Sequence, residues 1–464
     1  MPGPRPLALL LALPALLALA WALAGAGRRA AGEPPWGLQR ELERRQRDLS
    51  RLAAAIRRRA PSARWGRAWG CAELGGAAEL SPVGSGVTKL VARAVLPPGG
   101  QEVALKTVHA AGRDVSRCLR RHGHPAGCRR LAAYKLLKEA ALLRSLQHPG
   151  VVQLWGQCYD SADPEMKTTA ILELGTPLEM IELLQTPWEK RFKICLDLVE
   201  LLYYLANSPL GSIALLDFQP RQFVTVNGVL KVTDLDDAST EEPSCQTDED
   251  CVLEFPVKNF SLKCTVHGKC EGINERRNLF NAYRYFFTYL LPHLAPVVLQ
   301  PILKDILNAT GDLRYGANET LRAFQKVLHL YKSGLYLQKK PSHLKEYIAL
   351  KGFRSGTAED YKCWPSYSHT GCVLSVHNAE EAAGICSSHS QCQHFIITPQ
   401  KTWAGRPLTL FQSSSADLIP GGNTVAYIKR SALSREKPLT RSLNEHRDAG
   451  EEMLIRTTLS PPKR

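Results

Sequence analysis

At 464 residues, with 44% hydrophobic composition and 13 cysteines, the chain is long enough for a two-lobed domain plus a smaller module, which excludes a disordered polypeptide or a minimal disulfide peptide. Its net charge of +15 sits mostly at the ends: the first 70 residues carry thirteen Lys/Arg against four acids, the last 36 carry nine against five, and the 358 between hold only +2. That distribution speaks against nucleic-acid binding by the folded body and leaves acidic glycans as the anionic partner that the basic ends would fit.

The chain opens with Arg5, an apolar run from Leu7 to Ala24 and small residues before Arg28 and Arg29, the pattern of a secretory signal over residues 1–26. The run is also near the lower limit for a membrane span, so an uncleaved anchor is the competing reading; if the signal is cleaved, no stable span is expected. Residues 27–70 read as a basic helical stem, with Leu42, Leu49 and Ile56 in heptad spacing, too short for a confident coiled coil and so read as a single amphipathic stalk. Residues 71–175 read as a small strand-rich lobe with one long helix from Arg130 to Leu146, halted by His148-Pro149-Gly150. Residues 176–336 are mostly helical, interrupted by an acidic, cysteine-bearing loop between Asp234 and Cys270; 337–362 read as a linker, 363–430 as a compact cysteine-containing module and 431–464 as a disordered basic tail.

The cysteines suit an oxidising compartment. Local spacing suggests the pairs Cys118–Cys128, Cys245–Cys251, Cys264–Cys270, Cys363–Cys372 and Cys386–Cys392, and the odd total leaves at least one thiol free or bonded to another chain. Asn259-Phe-Ser, Asn308-Ala-Thr and Asn318-Glu-Thr match the N-glycosylation acceptor pattern.

The chemistry is carried by two acids. Asp217, in Leu-Leu-Asp-Phe-Gln-Pro-Arg-Gln-Phe, and Asp234, in Lys-Val-Thr-Asp-Leu-Asp-Asp, lie seventeen positions apart with a Val-Asn-Gly turn and an apolar strand between them. Phosphoryl transfer needs one carboxylate to orient the attacking hydroxyl and another to hold a divalent metal against the phosphates. Lys106, in Val103-Ala104-Leu105-Lys106, supplies a cation that a buried strand tolerates only if it is paired, and Glu139 on the following helix is its natural partner. Val83-Gly84-Ser85-Gly86 precedes Val91, which stands fifteen residues before Lys106, and Ile171-Leu172-Glu173-Leu174-Gly175 occupies the place of a hinge.

The order of glycine loop, Val-Ala-Leu-Lys, helix Glu, hinge, Asp217 and Asp234 resembles a divergent eukaryotic protein kinase over residues 80–335. The wording around Asp217 and Asp234, with Cys270-Glu-Gly-Ile-Asn-Glu and Asn281-Ala-Tyr-Arg-Tyr-Phe-Phe, is similar to the vertebrate lonesome kinase family. The resemblance implies an α+β, two-lobed kinase fold, with a small β-rich N-lobe and a large helical C-lobe, followed by the disulfide-containing C-terminal module. It implies Asp217, Lys106 and Glu139 as catalytic residues. Val83, Gly84, Ser85, Gly86, Val91, Ala104, Lys106, Glu173 and Gly175 would bind ATP, and Asp234 and Gln222 would hold Mg or Mn. It further implies a secreted protein-tyrosine kinase of the Golgi and secretory-pathway lumen, acting on secreted and extracellular-matrix proteins, with roles in skeletal development, differentiation and Golgi protein trafficking.

Departures from the general kinase pattern are concentrated around the two acids. The His-Arg preceding the catalytic Asp is Leu215-Leu216, the catalytic-loop lysine is Gln219, the metal-binding asparagine is Gln222, the third glycine of the loop is Lys89, and Asp-Phe-Gly is Asp234-Leu235-Asp236. They leave two rival readings beside the tyrosine kinase: a secreted pseudokinase serving as a binding scaffold, and a lumenal kinase acting on glycans.

Overall fold

The computed structural model describes residues 34–59, 69–160, 165–337, 342–355, 361–414 and 418–433. The signal and most of the basic tail read from the sequence lie outside the described residues. Among the described residues no helix is long and apolar enough to cross a membrane. The chain divides into two units, the first comprising residues up to Leu184 with Arg191–Ala295 and Gln300–Phe324, the second built mainly from Gln325 onward with Gln185–Lys190 and Pro296–Leu299.

The first unit has the two-lobed kinase architecture. Strands β1 (Ala78–Ser85), β2 (Lys89–Leu96), β3 (Gln101–Val108), β4 (Leu154–Tyr159) and β5 (Thr168–Glu173) form an antiparallel sheet in the order β1-β2-β3-β5-β4. Alternation decides its faces: Val103 and Leu105 pack with Ala94, Leu96 and Ile171, while Ala104 and Lys106, one residue out of phase, face the other way. A disulfide between Cys71 and Cys158, a pair too distant in sequence to be read from spacing, ties the start of this lobe to β4.

Helix α1 (Trp36–Arg59) differs from the free stalk expected of the stem. Leu38 and Leu42 are buried against α2 (Arg113–His122) and α3 (Pro125–Ser145), in one cluster with Val115, Ala132, Tyr134 and Leu137. The helices approach closely enough that a Cβ on Gly127 would lie 2.8 Å from Leu38 Cδ2. The heptad leucines therefore mark a docking stripe on the protein's own lobe, a partner that periodicity does not identify. Pro125 and the imidazole of His124, which accepts from the Gly127 amide at 3.0 Å, start α3, and the helix stops at Leu146 ahead of His148-Pro149.

The helical lobe is organised on α4 (Trp188–Ala206) and on α5 (Ile273–Ala282), which runs on through a π-helical turn at Tyr283–Phe287. Between them the hairpin of β6 (Phe223–Val226) and β7 (Val229–Val232) turns at Asn227 and Gly228, both at positive φ as a two-residue hairpin requires. Phe218, Phe223 and Phe286 pack edge-on and tilted, with ring centroids 5.3–6.1 Å apart, beneath the loop bearing Asp217. Buried Asn278 accepts from the Leu215 amide and donates to the Ile213 carbonyl, each at 2.8 Å, pinning the chain just before that loop.

The acidic loop after Asp234 carries two disulfides, and here local spacing misled. The pairs are Cys245–Cys264 and Cys251–Cys270. Cys264 and Cys270 do lie opposite each other across a backbone bridge, but each sulfur reaches back across the loop to its other partner. The remaining local pairs, Cys118–Cys128, Cys363–Cys372 and Cys386–Cys392, form as spacing suggested, and buried Cys195 is the free thiol, pushed above the ordinary thiol range by burial. Each loop staple spans 19 residues, so Cys251→Ser/Cys270→Ser is expected to lose about 3 kcal/mol and to open the loop to protease. An unchanged melting temperature with unchanged cleavage between 240 and 272 would contradict this.

The second unit is an antiparallel sheet of β8 (Tyr347–Ser355), β9 (Cys372–Ser375), β10 (His394–Lys401), β11 (Pro407–Gln412) and β12 (Leu418–Lys429), in the order β8-β12-β10-β11-β9. Helix α6 (Ala379–Ser388), capped by Asn378, packs Ala382, Ala383 and Cys386 against Tyr347, Phe395 and Phe411. Strand β8 lies in the stretch read as a linker; as an edge strand it tolerates the polar residues that gave it that appearance. The Glu189 carboxylate, 1% exposed, accepts from the Tyr331 hydroxyl at 3.0 Å and from the Ser375 hydroxyl at 2.7 Å, and the Arg406 guanidinium lies 4.1 Å above the Tyr331 ring.

Candidate active site

Between the lobes of the first unit lies a cleft of ≈ 820 Å³. It is bordered by every residue assigned from the sequence to nucleotide, metal or catalysis except Glu139, which sits beneath it fully buried. Lys106 Nζ donates to Glu139 Oε1 at 2.6 Å and to the Thr233 carbonyl at 2.9 Å, and lies 4.0 Å from Asp234 Oδ2. Strand β3 delivers the lysine, α3 the glutamate and β7 the aspartate. The three elements meet because Val91 pairs with Lys106 across β2–β3, while the Val232 amide donates to the Gly150 carbonyl at 2.8 Å just beyond α3.

A second lysine enters this cluster, and sequence reasoning did not assign it to the site. Lys89, 5% exposed, donates to Glu139 Oε2 at 2.5 Å and to Asp234 Oδ1 at 2.6 Å, and its Nζ is 3.0 Å from Asp236 Oδ2. The signal available in the sequence was phase. Lys89 is two residues before Val91, so β2 must present both side chains to the cleft. Burial opposes the Lys89 charge, but Glu139, Asp234 and Asp236 outweigh it and hold its ammonium well above the usual lysine range. Burial likewise works against the Asp234 carboxylate, yet Lys106 and Lys89 together hold it well below the usual carboxylate range. Asp236 moves the other way, raised by burial and by the neighbouring Asp234.

Asp217 stands on the cleft rim with its side chain about one-third exposed. It accepts from Gln219 Nε2 at 2.9 Å and from Gln222 Nε2, and the exposed Arg221 guanidinium is 3.4 Å from Oδ2. Gln219 thus bonds the Asp217 carboxylate, and Arg221, four residues after Asp217, is a cation that the sequence reading passed over. With its amide nitrogen on Asp217, Gln222 keeps its oxygen as an acceptor. Glu173 turns one carboxylate oxygen to Lys231 Nζ at 2.6 Å and the Gln153 amide at 2.7 Å, and its own amide donates to the Gln153 carbonyl at 3.0 Å, so its side chain and amide brace the hinge. Gly175 admits no side chain, since a Cβ there would lie 2.6 Å from Val224.

The donor set fits a hard divalent cation. Asp234 is held ionised, Asp236 is adjacent and Gln222 offers an amide oxygen, all oxygen ligands as Mg and Mn prefer. The volume and the apolar walls at Val83, Val91, Ala104 and Phe223 fit a nucleotide.

Comparison with known proteins agrees with the kinase fold. The protein-kinase domain of FAM69 matches residues 135–310, a span that takes in Glu139, Asp217 and Asp234. The human extracellular tyrosine-protein kinase PKDCC is 54% identical over 364 residues, which are 78% of this chain and 73% of that protein.

Proposed function

The chain belongs to the same family as the extracellular tyrosine-protein kinase PKDCC, and from that premise we propose that it transfers phosphate from ATP to tyrosine hydroxyls of secreted and extracellular-matrix proteins. The observation that carries the proposal is the Lys106–Glu139 pair at 2.6 Å standing under the same cleft that Asp217 and Asp234 border. When bound, ATP supplies the phosphoryl group and a divalent cation neutralises charge on it. Asp217 orients the phenol and accepts its proton as transfer proceeds, because a phenol of pKa about 10 is not ionised beforehand at neutral pH. Gln219, Gln222 and Arg221 hold that carboxylate in place. Lys106, fixed by Glu139, is the cation directed at the phosphates, and Asp234 with Gln222 would hold the metal.

Three features support action in the secretory pathway. Six disulfides are formed among the described residues, all three sequon asparagines are exposed, and the relative is named extracellular. Purified secreted protein with labelled ATP and Mn is expected to place label on tyrosine of a co-secreted protein, and Lys106→Met is expected to reduce it about 100-fold or more. Label of equal intensity from both proteins would defeat the proposal. Label removed by glycosidases would instead identify a glycan kinase, and nucleotide-dependent thermal stabilisation without turnover a pseudokinase.

A further inference from the structure

Two departures from the general kinase pattern are far apart in the sequence and touch in the fold. Lys89 replaces the third glycine of the nucleotide loop, and Asp236 replaces the glycine that follows the metal-binding aspartate by two. Their charged groups are 3.0 Å apart, with Lys89 on β2 and Asp236 just beyond β7. Lys89 also bonds Glu139 and Asp234, so one ammonium contacts three carboxylates of the cluster. The backbone at Asp236 is fixed independently, because Lys138 Nζ donates to the Asp236 and Ala238 carbonyls at 2.9 and 2.6 Å.

Charge explains why both replacements occur together. Lys106, Glu139 and Asp234 alone carry a net charge of minus one. Adding Asp236 without Lys89 would place a third carboxylate in a nearly dry site against one ammonium, an arrangement that burial penalises heavily. Adding Lys89 without Asp236 would neutralise the cluster and set the lysine against the metal for Asp234. Together they leave the net charge unchanged.

We propose that Lys89 and Asp236 are one coupled positioning device: Lys89 clamps Glu139, Asp234 and Asp236 in their working arrangement, and Asp236 is tolerated only because Lys89 compensates it. Lys89 acts here through Asp234 and Glu139, not on the substrate. The proposal rests on the kinase reading above, and an inactive wild type would defeat that reading, not this one.

The test is a double-mutant cycle on the purified full chain, comparing wild type, Lys89→Met, Asp236→Gly and the double variant. Two quantities are read: kcat with saturating ATP, and the affinity for Mn alone, measured by electron paramagnetic resonance without nucleotide. Lys89→Met is expected to lower kcat about 100-fold while binding Mn about tenfold more tightly, a combination that loss of structure would not produce. Asp236→Gly is expected to weaken Mn binding about tenfold, since Lys89 then competes for Asp234 alone. The double variant should return kcat to within about tenfold of wild type and Mn affinity to within about threefold. A double variant no more active than Lys89→Met, or one whose loss of kcat is simply the product of the two single losses, overturns the proposal, as does an Mn affinity left unchanged by Lys89→Met. Should Lys89→Met fail to be secreted, recovery of secretion in the double variant supports the coupling, and its continued failure refutes it.

Discussion

Asp217→Asn is expected to lower kcat by about a thousandfold while leaving the nucleotide-induced thermal shift unchanged. The substitution keeps the size of the side chain and removes the acceptor. Gln219 Nε2, Gln222 Nε2 and the Arg221 guanidinium all donate toward the Asp217 carboxylate, so an amide there would turn a donor against donors and accept no phenolic proton. Lys106, Glu139 and Asp234 make none of the contacts described above through Asp217, and an asparagine oxygen there can still accept from Gln222, which is why ADP with Mn should stabilise the variant as it does the wild type. Single-turnover kinetics and thermal unfolding with nucleotide decide the matter. A kcat within tenfold of wild type would remove Asp217 from the reaction, and loss of the thermal shift would make its role structural.

The second large effect is expected at a distance from the cleft. Leu38→Ala and Leu42→Ala on α1 should each cost about 2–5 kcal/mol, because both side chains are buried between α1 and α3 and their removal leaves a cavity that a packed helix pair closes poorly. The consequence for activity follows from what α3 carries. Glu139 is two residues from Leu137, a member of the same cluster, and it is the shared partner of Lys106 and Lys89. A loosened α1–α3 contact should therefore reduce kcat at temperatures where the protein remains folded, and an added peptide of residues 34–59 should restore part of it to a chain lacking them. Melting and activity both unaffected by Leu42→Ala would show that α1 only covers the lobe.

These effects separate what could be read from the chain from what could not. Lys106, Glu139, Asp217 and Asp234 were legible because each sits in a short local context with its own signal. Lys106 is a charge on an apolar strand, Glu139 an acid on an apolar helix, and Asp217 and Asp234 flank an Asn-Gly hairpin. Arg221 stands in the same quoted segment as Asp217 and was passed over, and Lys89 was read only as a replaced glycine. Their meaning depends on which groups lie across the cleft, and that is a property of three elements meeting, not of any one of them. Glu173 illustrates the converse: its position in the hinge was legible, but not that Lys231 and the Gln153 amide occupy its carboxylate. The crossed pairs Cys245–Cys264 and Cys251–Cys270 failed for a related reason, since spacing favours the nearest cysteine while the loop's path brings two others together.

By itself the sequence determined the kinase class of the fold, through the order of motifs it shares with that family, and it marked Asp217 and Asp234 as candidates and the cysteines as suited to an oxidising compartment, because motif, turn chemistry and cysteine usage are local or compositional properties. Only the tertiary structure decided that the stem is part of the catalytic lobe, that the presumed linker contains an edge strand of the second unit, and that Lys89 and Asp236 are partners. In each case the deciding quantity is a contact between segments distant in the chain. Apolar stripes and charges record that some partner exists, and folding alone selects which one it is.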